Sequence, residues 1–66
     1  MPVIHFTSSV LREIAAIADR QPDQKCTLML DDSRLTDRLV VLSASGLVKL
    51  QTFSKDFDGE WRPVAA

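Results

Sequence analysis

Residues 22–30, Pro22-Asp23-Gln24-Lys25-Cys26-Thr27-Leu28-Met29-Leu30, decide the fold, because two local readings fit them. Pro22 suits the first turn of a helix, and Asp23 would sit near that helix's positive end. The same residues also alternate as a strand does, with Cys26, Leu28 and Leu30 on one side and Thr27 and Met29 on the other. The helix is the preferred expectation. If it fails, Cys26–Leu30 and residues 39–53 become strands and the chain is a small α+β interaction domain.

Upstream of this stretch, Val10, Leu11, Ile14, Ala15, Ile17 and Ala18 recur at spacings of three and four, which predicts a helix from Ser8 or Ser9 to about Arg20. Thr7, Ser8 and Ser9 are all good N-caps, and Gln21-Pro22 ends the run because the residue before proline resists the α region. Val3-Ile4-His5-Phe6 alternates weakly and reads either as a short edge strand or as an apolar arm.

Downstream, Asp31-Asp32-Ser33 supplies cap residues, Leu35, Leu39 and Leu42 follow at i, i+4 and i+7, and Gly46 is placed to stop a helix in the left-handed conformation. These features agree with one another and favour a helix over 31–45. The competing reading is a hairpin in which Leu39–Leu42 and Leu47–Leu50 are joined by Ser43-Ala44-Ser45-Gly46, because Val40 and Val41 favour strands. Leu47 to Phe53 looks extended, and Glu60 to Val64 can return beside it through Asp58-Gly59. Pro63 confines the last strand to an edge or an end.

The 66 residues form one domain: an arm or short strand over 1–7, a helical part over 8–46 and a hairpin over 47–64. Hydrophobic residues are 45% of the chain and charged residues 26%, which argues against disorder. A core this small supplies only about 3–5 kcal/mol, so self-association or a partner is expected. The single Cys26 excludes an internal disulfide and a cysteine-rich zinc site, and reads as a small buried hydrophobe. His5 has no ligand-spaced companions, so no metal or other cofactor is expected. No stretch approaches the ~20 apolar residues of a membrane span, and a cytoplasmic protein is expected. No nucleophile–base pair or phosphate loop is visible, so an enzyme is not expected.

Helix, helix, capped helix ending in glycine and then a hairpin is the order of a winged helix-turn-helix, an α+β fold of three helices followed by a two-stranded wing. The segment Leu30-Asp-Asp-Ser-Arg-Leu-Thr-Asp-Arg-Leu-Val-Val-Leu-Ser-Ala-Ser-Gly-Leu-Val48 resembles the recognition-helix region of bacterial winged-helix repressors, with a hydroxyl-bearing start at Ser33, spaced leucines and a terminal Gly-Leu-Val. The resemblance implies a small DNA-binding transcriptional regulator that acts as a homodimer on double-stranded DNA. Helix 31–45 would enter the major groove with Ser33, Arg34, Thr36 and Arg38, while Lys49, Lys55 and Arg62 would reach phosphates from the 47–64 wing.

A wheel with Leu35, Leu39 and Leu42 inward turns Val40 and Val41 outward, which supports the alternative, a winged-helix adaptor binding protein through these two valines. The charge balance favours that alternative. Eight basic residues stand against nine acidic ones, and Lys55 is flanked by Asp56 and Asp58. Ordinary surface ion pairs with Asp31 and Asp37 explain Arg34 and Arg38 equally well. Phe53 and Trp61, on opposite arms of the hairpin, read as packing residues rather than base-stacking ones.

Overall fold

In the computed structural model, which describes residues 4–32 and 37–64, the first helix forms where its caps and periodicity predict. Helix α1 spans Ser8–Asp19, and the Thr7 hydroxyl oxygen accepts from the Val10 amide at 3.3 Å. Its buried stripe is Val10, Ile14 and Ile17. Past α1, the Gln24 amide donates to the Gln21 carbonyl at 3.0 Å and the Lys25 amide to Asp23 Oδ1 at 3.3 Å. Gln24 takes a φ of 55°, a left-handed value that no right-handed helix accommodates. Pro22-Asp23 therefore closes a turn and does not open a second helix.

Four strands follow: β1 (Cys26–Asp32), β2 (Asp37–Ser43), β3 (Lys49–Lys55) and β4 (Trp61–Pro63). They pair antiparallel in the order β1-β2-β3-β4, each beside its sequence neighbour. The three-helix winged architecture expected from the sequence is thus corrected to one helix on a four-stranded sheet. Segment 22–30 contributes β1, and residues 37–43 of the expected recognition helix are β2.

The reason lies in pairing. In β2, Leu39, Val40 and Val41 are all buried, the continuous apolar run of a central strand with neighbours on both sides. Gly46, expected to stop a helix, uses its φ of 77° in the β2–β3 turn instead, with its amide donating to the Ser43 carbonyl at 2.8 Å. The hairpin expected over 47–64 does form as β3 and β4. It is the second half of a meander and not a wing.

Register assigns the two faces of the sheet, because directly paired residues share a face. Leu28 pairs with Val41, Leu30 with Leu39, and Leu39 with Phe53. On this face Leu39, Val41, Phe53 and Trp61 meet Val10, Ile14 and Ile17 of α1, with Phe6, Cys26 and Leu50 packed at the margins. The ring of Phe6 lies 5.5 Å from that of Trp61, tilted by 46°, so the described part of the N-terminal segment, residues 4–7, is an arm and not a strand. The register shifts between Val41 and Leu42: Val41 opposes Gln51 and Leu42 opposes Lys49. Leu50, the residue passed over, packs against the core.

Candidate functional site

Of the residues expected to read DNA, register brings Arg38 and Arg62 onto the same face of the sheet, away from α1 and on either side of Ser54, while Lys55 falls on the α1 face. Ser33, Arg34 and Thr36 lie outside the described residues. Arg38 is exposed on the face of β2 away from α1, opposite Asp31 in β1 and Ser54 in β3. Lys49 and Lys55 stand at opposite ends of β3, the first paired with Leu42 and the second with Trp61. Arg62 is held by Asp56, with Nε donating to Oδ2 at 2.6 Å. The two valines expected to face a partner are instead buried. Val41 is 0% exposed beneath α1, and Val40 is 5% exposed on the other face between Met29 and Thr52.

Asp56 organises the β3–β4 turn. Its Oδ1 accepts from the amides of Asp58 and Glu60, both at 2.9 Å, while Gly59 takes a φ of 83°. The hydrogen bond from Arg62 is the main cause holding the Asp56 carboxyl below its ordinary value of 3.8, and the Glu60 and Asp58 amides add to it against a small opposing effect of desolvation. The same contact raises Arg62. A carboxyl lowered in the folded state stabilises above its ordinary value and loses that contribution as pH falls through the lowered value. Asp56→Ala is therefore expected to speed hydrogen exchange at the Asp58 and Glu60 amides several-fold at neutral pH and to leave the rest of the sheet unchanged. Unaltered exchange at both amides would show that the turn holds without the carboxylate.

The two sheet edges differ sharply. Edge β4 is three residues long and contains Pro63, which has no N–H to offer, and both features discourage further pairing. Edge β1 is seven residues long and proline-free. It exposes apolar side chains on both faces, with Leu28 at 48%, Met29 at 48% and Leu30 at 38%. Only one side of β1 is hydrogen-bonded to a strand among the described residues, so a row of N–H and C=O groups faces outward.

The position of α1 leaves Leu28 and Leu30 uncovered. Glu13, Ala16 and Arg20, on one flank of the helix, line a cavity of about 260 Å³ together with Gln51, Phe53 and Pro63. That flank overlooks β3 and β4. At 100° per residue the opposite flank carries Leu11, Ala15 and Ala18, so the exposed Leu11 overlooks the β1 side. Leu11, Leu28 and Leu30 thus lie exposed on the α1 side of the sheet, toward its free edge. Sequence reasoning saw the alternation of Cys26–Leu30 but could not find this exposed apolar strip, because nothing local marks a strand as an edge.

A second hollow of about 320 Å³ lies where α1 meets β4, lined by residues including Thr7, Glu13, Trp61 and Arg62. Trp61 Nε1 is buried without a hydrogen-bond partner among the described residues. Also among the described residues, no three His, Cys, Asp or Glu side chains gather in a way that could hold a metal ion, and no helix is long and apolar enough to cross a membrane. The chain matches no protein-family model, no curated protein and no solved structure.

Proposed function

We propose that the protein is a non-catalytic interaction module that binds an extended segment of another polypeptide by strand addition along β1. One observation carries this reading: a seven-residue, proline-free edge strand with Leu28, Met29 and Leu30 exposed. Natural sheets shorten, charge or cover such edges, because they recruit other strands. In strand addition the main chain supplies hydrogen bonds, while alternate side chains give specificity. Here the exposed Leu28 and Leu30, with Leu11 on the same side of the sheet, would meet apolar side chains from one face of the incoming strand, and Met29 would meet the other face. The setting we propose is cytoplasmic, a reducing compartment in which the half-buried Cys26 stays a thiol.

The test is selection of random displayed peptides on the sparsely immobilised chain, with the surviving sequences titrated by NMR. Peptides of alternating apolar pattern are expected to shift the amide signals of Thr27–Asp31, and to bind the Leu28→Lys/Leu30→Lys variant at least about tenfold more weakly. Amide dispersion of the variant outside β1 that matches the original chain is the control for its fold. Selection of nothing above background, or of peptides that perturb the α1–β4 hollow and leave β1 untouched, would sink the proposal.

A further inference from the structure

We infer that the strand received by β1 is β1 of a second copy of this chain, paired antiparallel about a two-fold axis that passes through Leu28. The inference rests on the strand-addition reading of the same edge and adds the identity of the partner. Its evidence is the charge pattern along the strand and the residue that leads into it. Lys25, immediately before β1, and Asp31, near its end, lie six residues apart, symmetrically about Leu28, and carry opposite charges. Centring two antiparallel copies on Leu28 therefore places Lys25 of each chain opposite Asp31 of the other, at both ends of the new ladder. The same register sets Leu28 against Leu28, Cys26 against Leu30 and Thr27 against Met29, so every apolar residue of β1 meets a side chain it can pack on.

Neighbouring registers lack this match. Moving the centre to Thr27 sets Lys25 against Met29 and carries Asp31 past the start of the partner's β1, where residues 22–24 turn away, so the opposite charges no longer meet. Moving it to Met29 sets Asp31 against Thr27 and leaves Lys25 without an opposed carboxylate in β1. In the Leu28 register, Asp31 also has Arg38 directly across in β2 of its own chain. The outer face would then carry a ladder of alternating charge: Lys25 of one copy, then Asp31 and Arg38 of the other.

The two copies would form one eight-stranded sheet with both helices on the same side, since the axis is perpendicular to the sheet. The exposed apolar strip along each β1 would then be shared. Leu28 and Leu30 of both chains would form it, with Leu11 of each copy on the same side of the sheet. The outer edges of the joined sheet would be the two short, proline-bearing β4 strands, which end its growth at two copies.

Sedimentation of the full chain over a wide concentration range, combined with charge reversal, tests the inference. A reversible dimer is expected. Lys25→Asp and Asp31→Lys alone should each weaken it about tenfold, because each single swap sets like charges across the ladder twice. The combined Lys25→Asp/Asp31→Lys chain should dimerise more tightly than either single variant, short of full recovery because the new lysine also faces Arg38 of its own chain.

Leu30→Cys gives an independent measure of the register. Its new thiol should form disulfides with the partner's native Cys26 under mild oxidation, whereas Cys26 in the original chain lies roughly 13 Å from its own copy and should not cross-link. A chain that stays monomeric while selected peptides still perturb Thr27–Asp31 overturns the second-copy inference and leaves strand addition standing. A monomer that also selects no peptides overturns both. A dimer that the double charge swap leaves no tighter than the single variants, or that Leu30→Cys fails to lock, overturns the register.

Discussion

Phe53→Ala is expected to leave the chain unfolded at 25 °C. Phe53 is 1% exposed and one of the largest fully buried side chains, set in β3 between Leu39 of β2 and Pro63 of β4, in the core that α1 covers. Removing a buried aromatic ring costs about 3–5 kcal/mol, as lost transfer energy plus the cavity left behind. A core of this size supplies roughly 3–5 kcal/mol in total, so the loss matches the whole margin. The measurement is thermal unfolding followed by far-ultraviolet circular dichroism. The variant should show no cooperative transition, while Phe53→Leu, which refills most of the volume, should keep one at a lower midpoint. Cooperative unfolding of Phe53→Ala within about 1 kcal/mol of the original chain would mean that the sheet is not organised around this ring.

Val41→Asp is expected to be as damaging, for a different reason. Val41 is 0% exposed, in the middle of the central strand, paired with Leu28 on one side and Gln51 on the other. A carboxylate there would be buried with no cation across from it, which costs several kcal/mol even after protonation relieves part of the charge. The substitution also separates the two readings of residues 37–43. Were this segment a helix with Val41 turned outward, a surface aspartate would change stability by less than about 0.5 kcal/mol. Arg38→Ala is the matched control, being exposed on the same strand and expected to stay within that limit. Amide dispersion in a nitrogen–proton spectrum, with urea unfolding of whatever remains folded, distinguishes the outcomes. A Val41→Asp chain as stable as Arg38→Ala would refute the central position of β2.

What residues 22–46 become was not legible locally, and the causes are specific. Pro22 and Asp23 serve equally at the start of a helix or in a turn; the outcome was settled by Gln24 entering the left-handed region. Leu39 and Leu42 fit a helical stripe that begins at Leu35, yet Leu39 and Val41 also share one face of a strand, and burial of Val40 on the other face removes the polar side a surface helix needs. Gly46 supplies a positive φ to either a helix stop or a hairpin turn. The hairpin reading of Ser43–Gly46 was available from Val40 and Val41. It was outweighed because three helix signals agreed by coincidence.

The interaction site was hidden for a related reason. Treating 31–45 as a helix turned Val40 and Val41 outward and made them the expected partner surface. Pairing β2 between β1 and β3 buries them and passes the exposed apolar role to Leu28, Met29 and Leu30 of β1.

The sequence alone determined the parts whose stabilising contacts are close along the chain. Helix α1 forms where its three- and four-residue spacing and the Thr7 cap place it, since helical hydrogen bonds and caps join residues within about four positions. The β3–β4 turn follows from Asp58-Gly59 in the same way, because Gly59 supplies the positive φ within the turn. Tertiary structure decided the rest. A strand's hydrogen bonds come from another segment, so the identity of β1 and β2 depends on Leu28 finding Val41 and on Leu39 finding Phe53. Those partners stand thirteen and fourteen residues apart along the chain, beyond the reach of a local pattern, and the edge that defines the candidate site exists only after they have paired.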